Sequence, residues 1–286
     1  PCMLLENCCY GEIELLLLNM TRKGLLGEIV HCSGGYLHDL REEIACGKEN
    51  RHYRLRNYIE RNCENYPTHE LGPICKIIDV NRGNRMLFLS SFSSKAAGLH
   101  QYMLDKKSED EELVNTVFSQ GDIVTTVITC ERGETIVLTL DTTLPRPYSR
   151  GFTIKGTKGM YQEDGDYFFM DDNRVHRLFH FSQHKLWGNS GKYRRKYRHP
   201  LWMNTRTLNK KGHGGMDTLV IRAICESIKK GIAPPIDVYD TAAWMAITAL
   251  SEKSIAEGGS PVEIPDFTRG KYIDRQDINK GVYSLD

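Results

Sequence analysis

The chain has 286 residues, of which 40% are hydrophobic, so it can bury the core of one large domain or of two small ones. Its 38 lysines and arginines balance 37 aspartates and glutamates, which leaves no overall charge to attract nucleic acid or an anionic membrane. No apolar stretch reaches the roughly 18 residues that a membrane span needs. We therefore expect neither nucleic acid nor a membrane among its partners.

The nine cysteines are odd in number and show no C-x-x-C spacing. In a chain large enough to fold without disulfides, this pattern predicts reduced thiols. Histidine, cysteine and acidic residues do not fall into paired ligand spacings, so the sequence predicts no metal site. One basic run, 192–199, interleaves tyrosines with lysines and arginines. It is too short to make many phosphate contacts, and we expect a solvated loop there.

The N-terminal segment starts at Pro1 and has neither a charged n-region nor a cleavage site, which we interpret as the middle of a longer gene product. Met3 to Tyr10 predict a buried strand. The patterns that follow predict a helix at 11–24, a strand at 26–30, a glycine-rich strand end at 34–41, a loop with a short helix at 46–64, a helix at 71–80 and a strand at 85–92.

The rest of the chain is richer in strands. Lys95 to Asn115 is charged and predicts an exposed excursion. Two alternating segments, 122–130 and 134–142, predict a hairpin around Glu131-Arg132-Gly133. The remaining patterns predict strands at 152–155, 159–161 and 167–170, a flap or subunit contact at 171–211, and helices at 217–230 and 240–257. Together they predict an α+β fold, a large mixed or antiparallel open sheet of about six to eight strands with helices packed mainly on one face.

The run Tyr66-Pro67-Thr68-His69 places a tyrosine and a histidine three residues apart on a stiff turn that opens a helix. Free backbone N–H groups and the positive end of the helix dipole favour an anionic or hydroxyl-rich ligand at such a place. The turn therefore indicates a candidate catalytic site. A capping turn with a structural histidine is the alternative interpretation.

Three further segments carry candidate side chains. Pro145 and Pro147 hold Tyr148 in a rigid loop between two arginines. Such a loop can place Tyr148 against a ligand, and the alternative interpretation is that the prolines simply end an edge strand. The glycine-rich turn 212–217, with His213, lets a backbone approach a ligand or is a plain helix start. Arg54 offers a guanidinium to a hydroxyl or carboxylate. No G-x-G-x-x-G, no P-loop and no pair of catalytic carboxylates is present, so these residues alone leave the chemistry open.

Several motifs occur together and in order along nearly the whole chain. They are Glu6-Asn7-Cys8-Cys9-Tyr10, Gly27-Glu28-Ile29-Val30-His31, the run 34–41, Tyr66-Pro67-Thr68-His69, Pro145-Arg146-Pro147-Tyr148-Ser149-Arg150 and Gly212-His213-Gly214-Gly215-Met216-Asp217. As a set they resemble the NAD-dependent α-N-acetylgalactosaminidases of glycoside hydrolase family 109. This family belongs to the wider Gfo/Idh/MocA oxidoreductase-like superfamily.

The resemblance implies a domain organisation and a set of site residues. It implies that 1–10 is the last strand of an NAD-binding Rossmann domain otherwise missing here, and that 11–286 is a substrate-binding and oligomerisation domain that forms homo-oligomers through its sheet face. Asn7 and Tyr66 are expected to contact NAD. The residues expected to bind the sugar are Tyr36, Arg54, Tyr66, Pro67, Thr68, His69 and Tyr148.

The resemblance also implies a redox route to hydrolysis. In that route the hydride on carbon 3 of a terminal α-N-acetylgalactosamine would pass to NAD, and the resulting ketone would acidify the carbon 2 hydrogen. A base would remove this proton as the aglycone is eliminated, water would add, and the hydride would return to carbon 3. His69, Tyr66 and Tyr148 are the expected catalytic residues, and His213 is a weaker candidate. An NAD(P)-dependent sugar oxidoreductase and a non-catalytic carbohydrate-binding or assembly module are the alternatives. Nothing in the sequence indicates the cellular compartment.

Overall fold

The computed structural model describes residues 2–171, 186–203, 212–275 and 280–286. The helices are α1 (Glu12–Arg22), α2 (Arg41–Ala45), α3 (Tyr53–Glu60), α4 (Thr68–Ile77), α5 (Gly98–Lys106), α6 (Glu111–Val114), α7 (Ser190–Tyr197), α8 (Pro200–Met203), α9 (Met216–Lys230) and α10 (Val238–Ala256). The strands are β1 (Ile29–Leu37), β2 (Met86–Ser93), β3 (Ile123–Cys130), β4 (Thr135–Asp141), β5 (Thr153–Gly156), β6 (Gly159–Gln162), β7 (Tyr167–Met170) and β8 (Val262–Glu263). Short 3₁₀ turns lie at Asn7–Tyr10, His213–Gly215 and Lys271–Asp274.

These strands form one mixed sheet in the order β7-β6-β5-β1-β4-β3-β2-β8. β1 and β4 run parallel, and every other neighbouring pair in this order is antiparallel. The predicted hairpin is confirmed, with Ile128 opposite Ile136 in β3 and β4. α4 packs against β1, and α10 packs against β2. The predicted α+β architecture, a large mixed sheet with helices mainly on one face, is therefore correct.

The core has two parts. The main cluster lies between the helices and one face of the sheet, and it includes the fully buried Trp244 of α10 together with Leu15, Leu71, Ile128 and Ile136. A smaller cluster joins α2, α3, α5 and α6. Its buried members are Leu40, Ile44, Ala45, Leu55, Tyr58, Leu99, Met103, Leu113 and Phe118. This second cluster sits beside the segment that leads from β1 to the start of α4.

The prediction of a buried strand at Met3 to Tyr10 is wrong. Residues 2–6 are irregular and 7–10 form a 3₁₀ turn. A strand needs a neighbouring strand to satisfy its backbone groups. Here the Leu4 N–H donates to the Ile236 carbonyl and the Tyr10 carbonyl accepts from the Trp202 indole, and these single bonds do not form a ladder. The Glu6 carboxylate accepts the Cys8 N–H at 3.0 Å and so starts the turn. The apolar pattern reflects burial rather than strand periodicity.

Other sequence predictions need smaller corrections. The segments predicted at 26–30 and 34–41 overlap one strand, β1 (Ile29–Leu37), and do not form two separate strands. Residues 26–28 and 38–40 lie outside it, and Arg41 begins α2. The excursion expected at 95–115 contains α5 and α6, and their Leu99, Met103 and Leu113 are buried in the smaller cluster. The basic run at 192–199 is mostly helix α7 rather than a loop. The high charge of 95–115 and 192–199 led to the prediction of exposed segments, but each contains a short helix with a few apolar residues on one face.

Part of the flap or subunit contact predicted at 171–211 lies outside the described residues, namely 172–185 and 204–211. The nine cysteines are all described and all free, as predicted. In the described part of the chain, no helix is long and apolar enough to cross a membrane.

Candidate functional site

Aromatic side chains from β1 and from the start of α4 form one cluster at the edge of the sheet where β1 and β4 both end. Tyr36 lies 4.6 Å from Tyr66 and 5.3 Å from His69, measured between ring centroids. Tyr66 and His69 lie 4.7 Å apart with nearly perpendicular rings. The structure thus brings together three of the predicted site residues, one from a strand and two from a turn about thirty positions further along the chain.

His69 is bonded to a carboxylate that the sequence analysis did not single out. Its Nδ1 lies 2.9 Å from Oε1 and 3.1 Å from Oε2 of Glu6, whose side chain is 4% exposed. Burial alone would raise the pKa of Glu6, but hydrogen bonds from His69, Thr68 and the Cys8 backbone hold it below its usual value. An ionised carboxylate only accepts, so Nδ1 carries a proton. In the neutral ring, Nε2 then keeps its lone pair and can act as a base.

The two tyrosines of this cluster are donors rather than phenolates. Burial raises the pKa of Tyr66 to about 12, and the nearby Glu6 charge adds to the effect. Burial also raises the pKa of Tyr36. Both hydroxyls therefore keep their protons at neutral pH and can donate to a ligand oxygen.

Arg54 of α3 lies over the same tyrosines. Its guanidinium carbon is 5.8 Å from the ring centre of Tyr36 and 5.4 Å from that of Tyr66. It also pairs with Glu43 and lies 3.2 Å from the His52 ring. Its side chain is 11% exposed, so Arg54 forms the wall of the aromatic cluster and presents little surface of its own.

Pro67 and Thr68 are buried at the start of α4, in contrast to the exposure expected of direct sugar contacts. Pro67 occupies the N-cap position with helical backbone angles, and the Thr68 hydroxyl bonds the Glu6 carboxylate. Their arrangement indicates that they hold the Tyr66–His69 turn in place.

Tyr148 is connected to the aromatic cluster through His38. Its ring packs edge-on against His38 at 5.1 Å, and His38 Nδ1 lies 3.4 Å from the Tyr36 hydroxyl. Its side chain is 53% exposed. The arginines expected beside it are engaged elsewhere, since Arg146 pairs with Asp141 and Arg150 with Glu14 and Glu70. Both arginines that flank Tyr148 are therefore held by carboxylates of other elements.

Asn7 and His213 meet at one carboxylate. Asn7 Nδ2 donates to Asp217 Oδ1 at 2.7 Å, and His213 Nδ1 lies 2.9 Å from Asp217 Oδ2. Positive φ angles at Gly212, Gly214 and Gly215 shape this turn, and His213 itself has φ of 46°. The glycine-rich turn is thus placed beside the segment that carries Glu6, and Asn7 links the two.

Three donor atoms with metal-ligating chemistry lie within 4.8 Å of one another, from Glu6, Cys8 and His69. The carboxylate already accepts hydrogen bonds from His69, Thr68 and the Cys8 N–H, and burial raises the pKa of the Cys8 thiol well above its usual value. A hydrogen-bonded Glu–His pair accounts for this geometry without a metal ion.

The sequence analysis missed Glu6, His38 and Asp217. His38 could have been found, because residues two apart on a strand share a face and Tyr36 was already a candidate. Glu6 and Asp217 act through partners 63 and 210 positions away, and no local pattern reports such contacts.

The architecture is shared with solved structures of sugar-active dehydrogenases. An inositol dehydrogenase homolog from Azotobacter vinelandii, complexed with NAD⁺, matches with a TM-score of 0.55 and 13% identity over 90% of this chain and 64% of that chain. A levoglucosan dehydrogenase complexed with NADH and L-sorbose matches with a TM-score of 0.58 and 14% identity, over 91% and 66%. Identities this low establish a likeness of fold alone, and the class they define is the fold of these dehydrogenases.

Sequence relatives narrow this class to one family. The family model for the glycosyl hydrolase 109 C-terminal domain matches residues 10–274. Glycosyl hydrolase family 109 proteins from Parabacteroides distasonis and Stenotrophomonas maltophilia are 40% and 42% identical over 96% and 97% of this chain. The α-N-acetylgalactosaminidase of Tannerella forsythia is 39% identical over 96%. The chain belongs to glycoside hydrolase family 109, and it spans 61%, 64% and 61% of these three relatives.

Proposed function

We propose that this chain supplies the substrate site of an NAD-dependent α-N-acetylgalactosaminidase. The observation that carries the proposal is the Glu6–His69 pair, which leaves one imidazole nitrogen available as a base beside the Tyr36 and Tyr66 hydroxyls. Two relatives named α-N-acetylgalactosaminidase, from Tannerella forsythia and Shewanella oneidensis, are 39% and 37% identical to this chain.

The relatives are longer than this chain, which leaves room in them for a nucleotide-binding domain. We propose that residues 11–286 form the substrate-binding and oligomerisation domain, and that 1–10 connect it to an NAD-binding Rossmann domain. The connection is irregular backbone followed by a 3₁₀ turn instead of the strand that the sequence suggested.

The residues present fit the nicotinamide end of NAD. Asn7 is oriented by its bond to Asp217, and within the described residues its Oδ1 accepts no hydrogen bond, which leaves it for a ligand amide. Tyr66 offers a protonated hydroxyl at the same edge. When bound, NAD would supply a reversible acceptor for the hydride on carbon 3 of the sugar. No glycine-rich turn for its pyrophosphate occurs in this sequence.

The chain's own residues would then handle protons and orientation. His69 takes the proton from carbon 2 of the sugar at Nε2, and the Glu6 carboxylate stabilises the imidazolium that forms through Nδ1–H. Tyr36, Tyr66 and Tyr148 donate to sugar oxygens, and Arg54 backs the wall of the aromatic cluster. This route needs no pair of acidic groups flanking the glycosidic bond.

A plain NAD(P)-dependent sugar oxidoreductase is the second candidate, favoured by a fold shared with inositol and levoglucosan dehydrogenases. The full-length protein incubated with an aryl α-N-acetylgalactosaminide and NAD separates the two. We expect release of the phenol with no net accumulation of NADH. Accumulation of NADH in step with substrate loss would instead establish the oxidoreductase. If neither phenol nor NADH is formed, both candidate functions are contradicted.

The outer face of the sheet supports a homo-oligomer. Phe88, Phe92 and Val127 are 47%, 57% and 38% exposed there. At the centre of this face the outward positions are uncharged, with Ser90 opposite Val127 and Val127 opposite Val137. Exposed apolar surface of this kind indicates an association face. Val127→Lys should shift the sedimentation coefficient toward the monomer, whereas Val117→Lys, in an 83% exposed position off the sheet, should not.

A further inference from the structure

A buried ionic network lies directly below the candidate site. The Arg150 guanidinium pairs with Glu14 of α1, and its Nε lies 3.2 Å from Oε1 of Glu70 in α4. Both carboxylates are almost fully buried, at 2% and 1% exposure, and the Arg150 side chain is 11% exposed. One guanidinium thus bridges two helices from the loop that carries Tyr148.

Two glycines make room for this network. A Cβ at Gly34 would lie 2.6 Å from Cγ of Glu70, and a Cβ at Gly11 would lie 1.8 Å from the Glu14 carboxylate. Real Cβ atoms do not approach so closely, so a side chain at either position would displace a carboxylate from Arg150. The backbone on both sides is therefore adapted to hold these two acidic groups where they are.

The Arg150 backbone is fixed as well. The Gly35 N–H donates to the Arg150 carbonyl at 2.8 Å, and the Ser149 N–H donates to the Leu37 carbonyl at 3.0 Å. The Arg150 N–H donates to Glu163 at 3.1 Å. These bonds attach the loop to β1, whose last residues carry Tyr36 toward the site.

The network adjoins candidate site residues in sequence. Glu70 follows His69 directly, and Arg150 lies two residues after Tyr148. Burial raises the pKa of both Glu14 and Glu70, against the lowering effect of Arg150, so the single guanidinium is the main charge that holds the pair together. Moving it would move both site segments.

We propose that Arg150 is a positioning residue that fixes the Tyr148 loop against the helix bearing His69. The expected effect on turnover rests on the function proposed above. The expected effect on the structure of the loop rests on the ionic network itself. A misplacement of about 1 Å between catalytic groups lowers turnover by about 10²-fold. Among the described residues, the Arg150 guanidinium pairs with Glu14 and Glu70, and it acts on His69 and Tyr148 through the segments that carry them.

The test compares variants of the full-length protein. Arg150→Met alone leaves two buried acidic groups without their cation, which destabilises the fold. The triple variant Arg150→Met, Glu14→Gln, Glu70→Gln removes all three charges at similar volume, and should restore the melting temperature. Arg150→Lys keeps the positive charge but lacks the planar guanidinium that pairs with two carboxylates at once. This variant tests the proposal if the other two do not fold. Arg82→Met is the control for loss of stability alone, because it removes an arginine that is paired with Asp240 and buried still more deeply, at 3% side-chain exposure.

For the triple variant and for Arg150→Lys we expect kcat on the aryl glycoside to fall by about 10- to 100-fold, with KM changed less than threefold. Amide exchange at Gly35 and Ser149 should accelerate in both, in this chain as well as in the full-length protein. Arg82→Met should melt earlier with parental kcat. A stable triple variant with parental kcat and parental exchange at Gly35 and Ser149 would overturn the proposal. If the parent hydrolyses no glycoside, the proposed function fails, and the exchange at these two amides still decides the role of Arg150.

Discussion

Glu6 and His69 stand 63 residues apart in the chain and form a double contact, with Nδ1 of the imidazole 2.9 and 3.1 Å from the two carboxylate oxygens. The carboxylate is buried and fixes both the ring orientation and the position of its proton. The same contact ties the segment before the first helix to the start of α4.

Glu6→Gln should lower kcat by about 10- to 10³-fold with little change in KM. The amide keeps the shape, but it no longer stabilises an imidazolium and can favour the other tautomer by donating to Nδ1. Steady-state kinetics of the full-length variant measure this effect. Glu60→Gln, an exposed helix position paired only with Arg56, is the control. Parental kcat in Glu6→Gln would show that the pair is structural.

His69→Ala should lower turnover by about 10²-fold or more, the scale for removal of an acid or base group. Affinity for NAD should change little, because the ring lies at the sugar side of the proposed site. His100→Ala, an exposed position on α5, is the matched control. Equal turnover of the His69 variant and the parent would assign the base elsewhere, with Tyr66 and His213 next to examine.

Tyr148→Phe separates binding from chemistry at an exposed ring held by His38. The substitution keeps the ring contact and removes one hydroxyl. We expect turnover to fall by about 10- to 10³-fold, because a hydroxyl that polarises the developing ketone acts in the transition state. A rise in KM alone would make the hydroxyl a binding group. Parental values of both constants would make Tyr148 a strand-end residue.

Strand alternation predicted the sheet, including its β3–β4 hairpin, and the stiff turn at Pro67 indicated Tyr66 and His69, because both signals are local. Tyr36 was a candidate only through the family resemblance. Prediction from the sequence failed at Met3 to Tyr10, where burial resembles strand periodicity, and at α5 and α6, where charge conceals a buried face. The roles of Glu6, Asp217 and the Arg150 network could not be predicted from the sequence. Their roles depend on side chains that meet only after folding, and a single sequence carries no signal for such pairs.

Glu64 makes stability depend on pH in a defined direction. Burial raises its pKa to about 8 from an ordinary 4.5, and one of its oxygens has no hydrogen-bond partner. The folded state therefore holds a proton that the unfolded chain releases above pH 4.5. Its contribution to stability is complete below 4.5 and is lost as pH rises through 8.

Glu64→Gln removes this dependence. Relative to the parent, its free energy of unfolding should rise between pH 4.5 and 8 by up to about 1.4 kcal/mol per pH unit. Urea unfolding at several pH values in that window measures the difference. Glu60→Gln should show a nearly constant difference across the same range. If the difference in free energy of unfolding between Glu64→Gln and the parent stays constant over this pH range, the Glu64 carboxyl ionises normally in the folded protein.

The chain by itself should bind NAD very weakly. In the function proposed above, its residues would meet the nicotinamide end, and the sequence has no G-x-G-x-x-G turn to receive the pyrophosphate. Titration calorimetry of the isolated 286-residue chain tests this expectation. Micromolar binding would contradict it and would require a nucleotide site among the described helices.

The parallel pairing of β1 with β4 makes both strands end at the same edge of the sheet. Both strands end toward the aromatic cluster, so His38 and Tyr148 depart from the same edge. At the opposite edge lies the tip of the β3–β4 hairpin, Glu131 to Glu134. That tip is held by contacts of its own, since Glu134 accepts a hydrogen bond from Asn84 and Glu131 accepts one from the Tyr272 hydroxyl. A change in the length of this turn would therefore disturb the contacts at the far end of β3 and β4 before it reached the aromatic cluster.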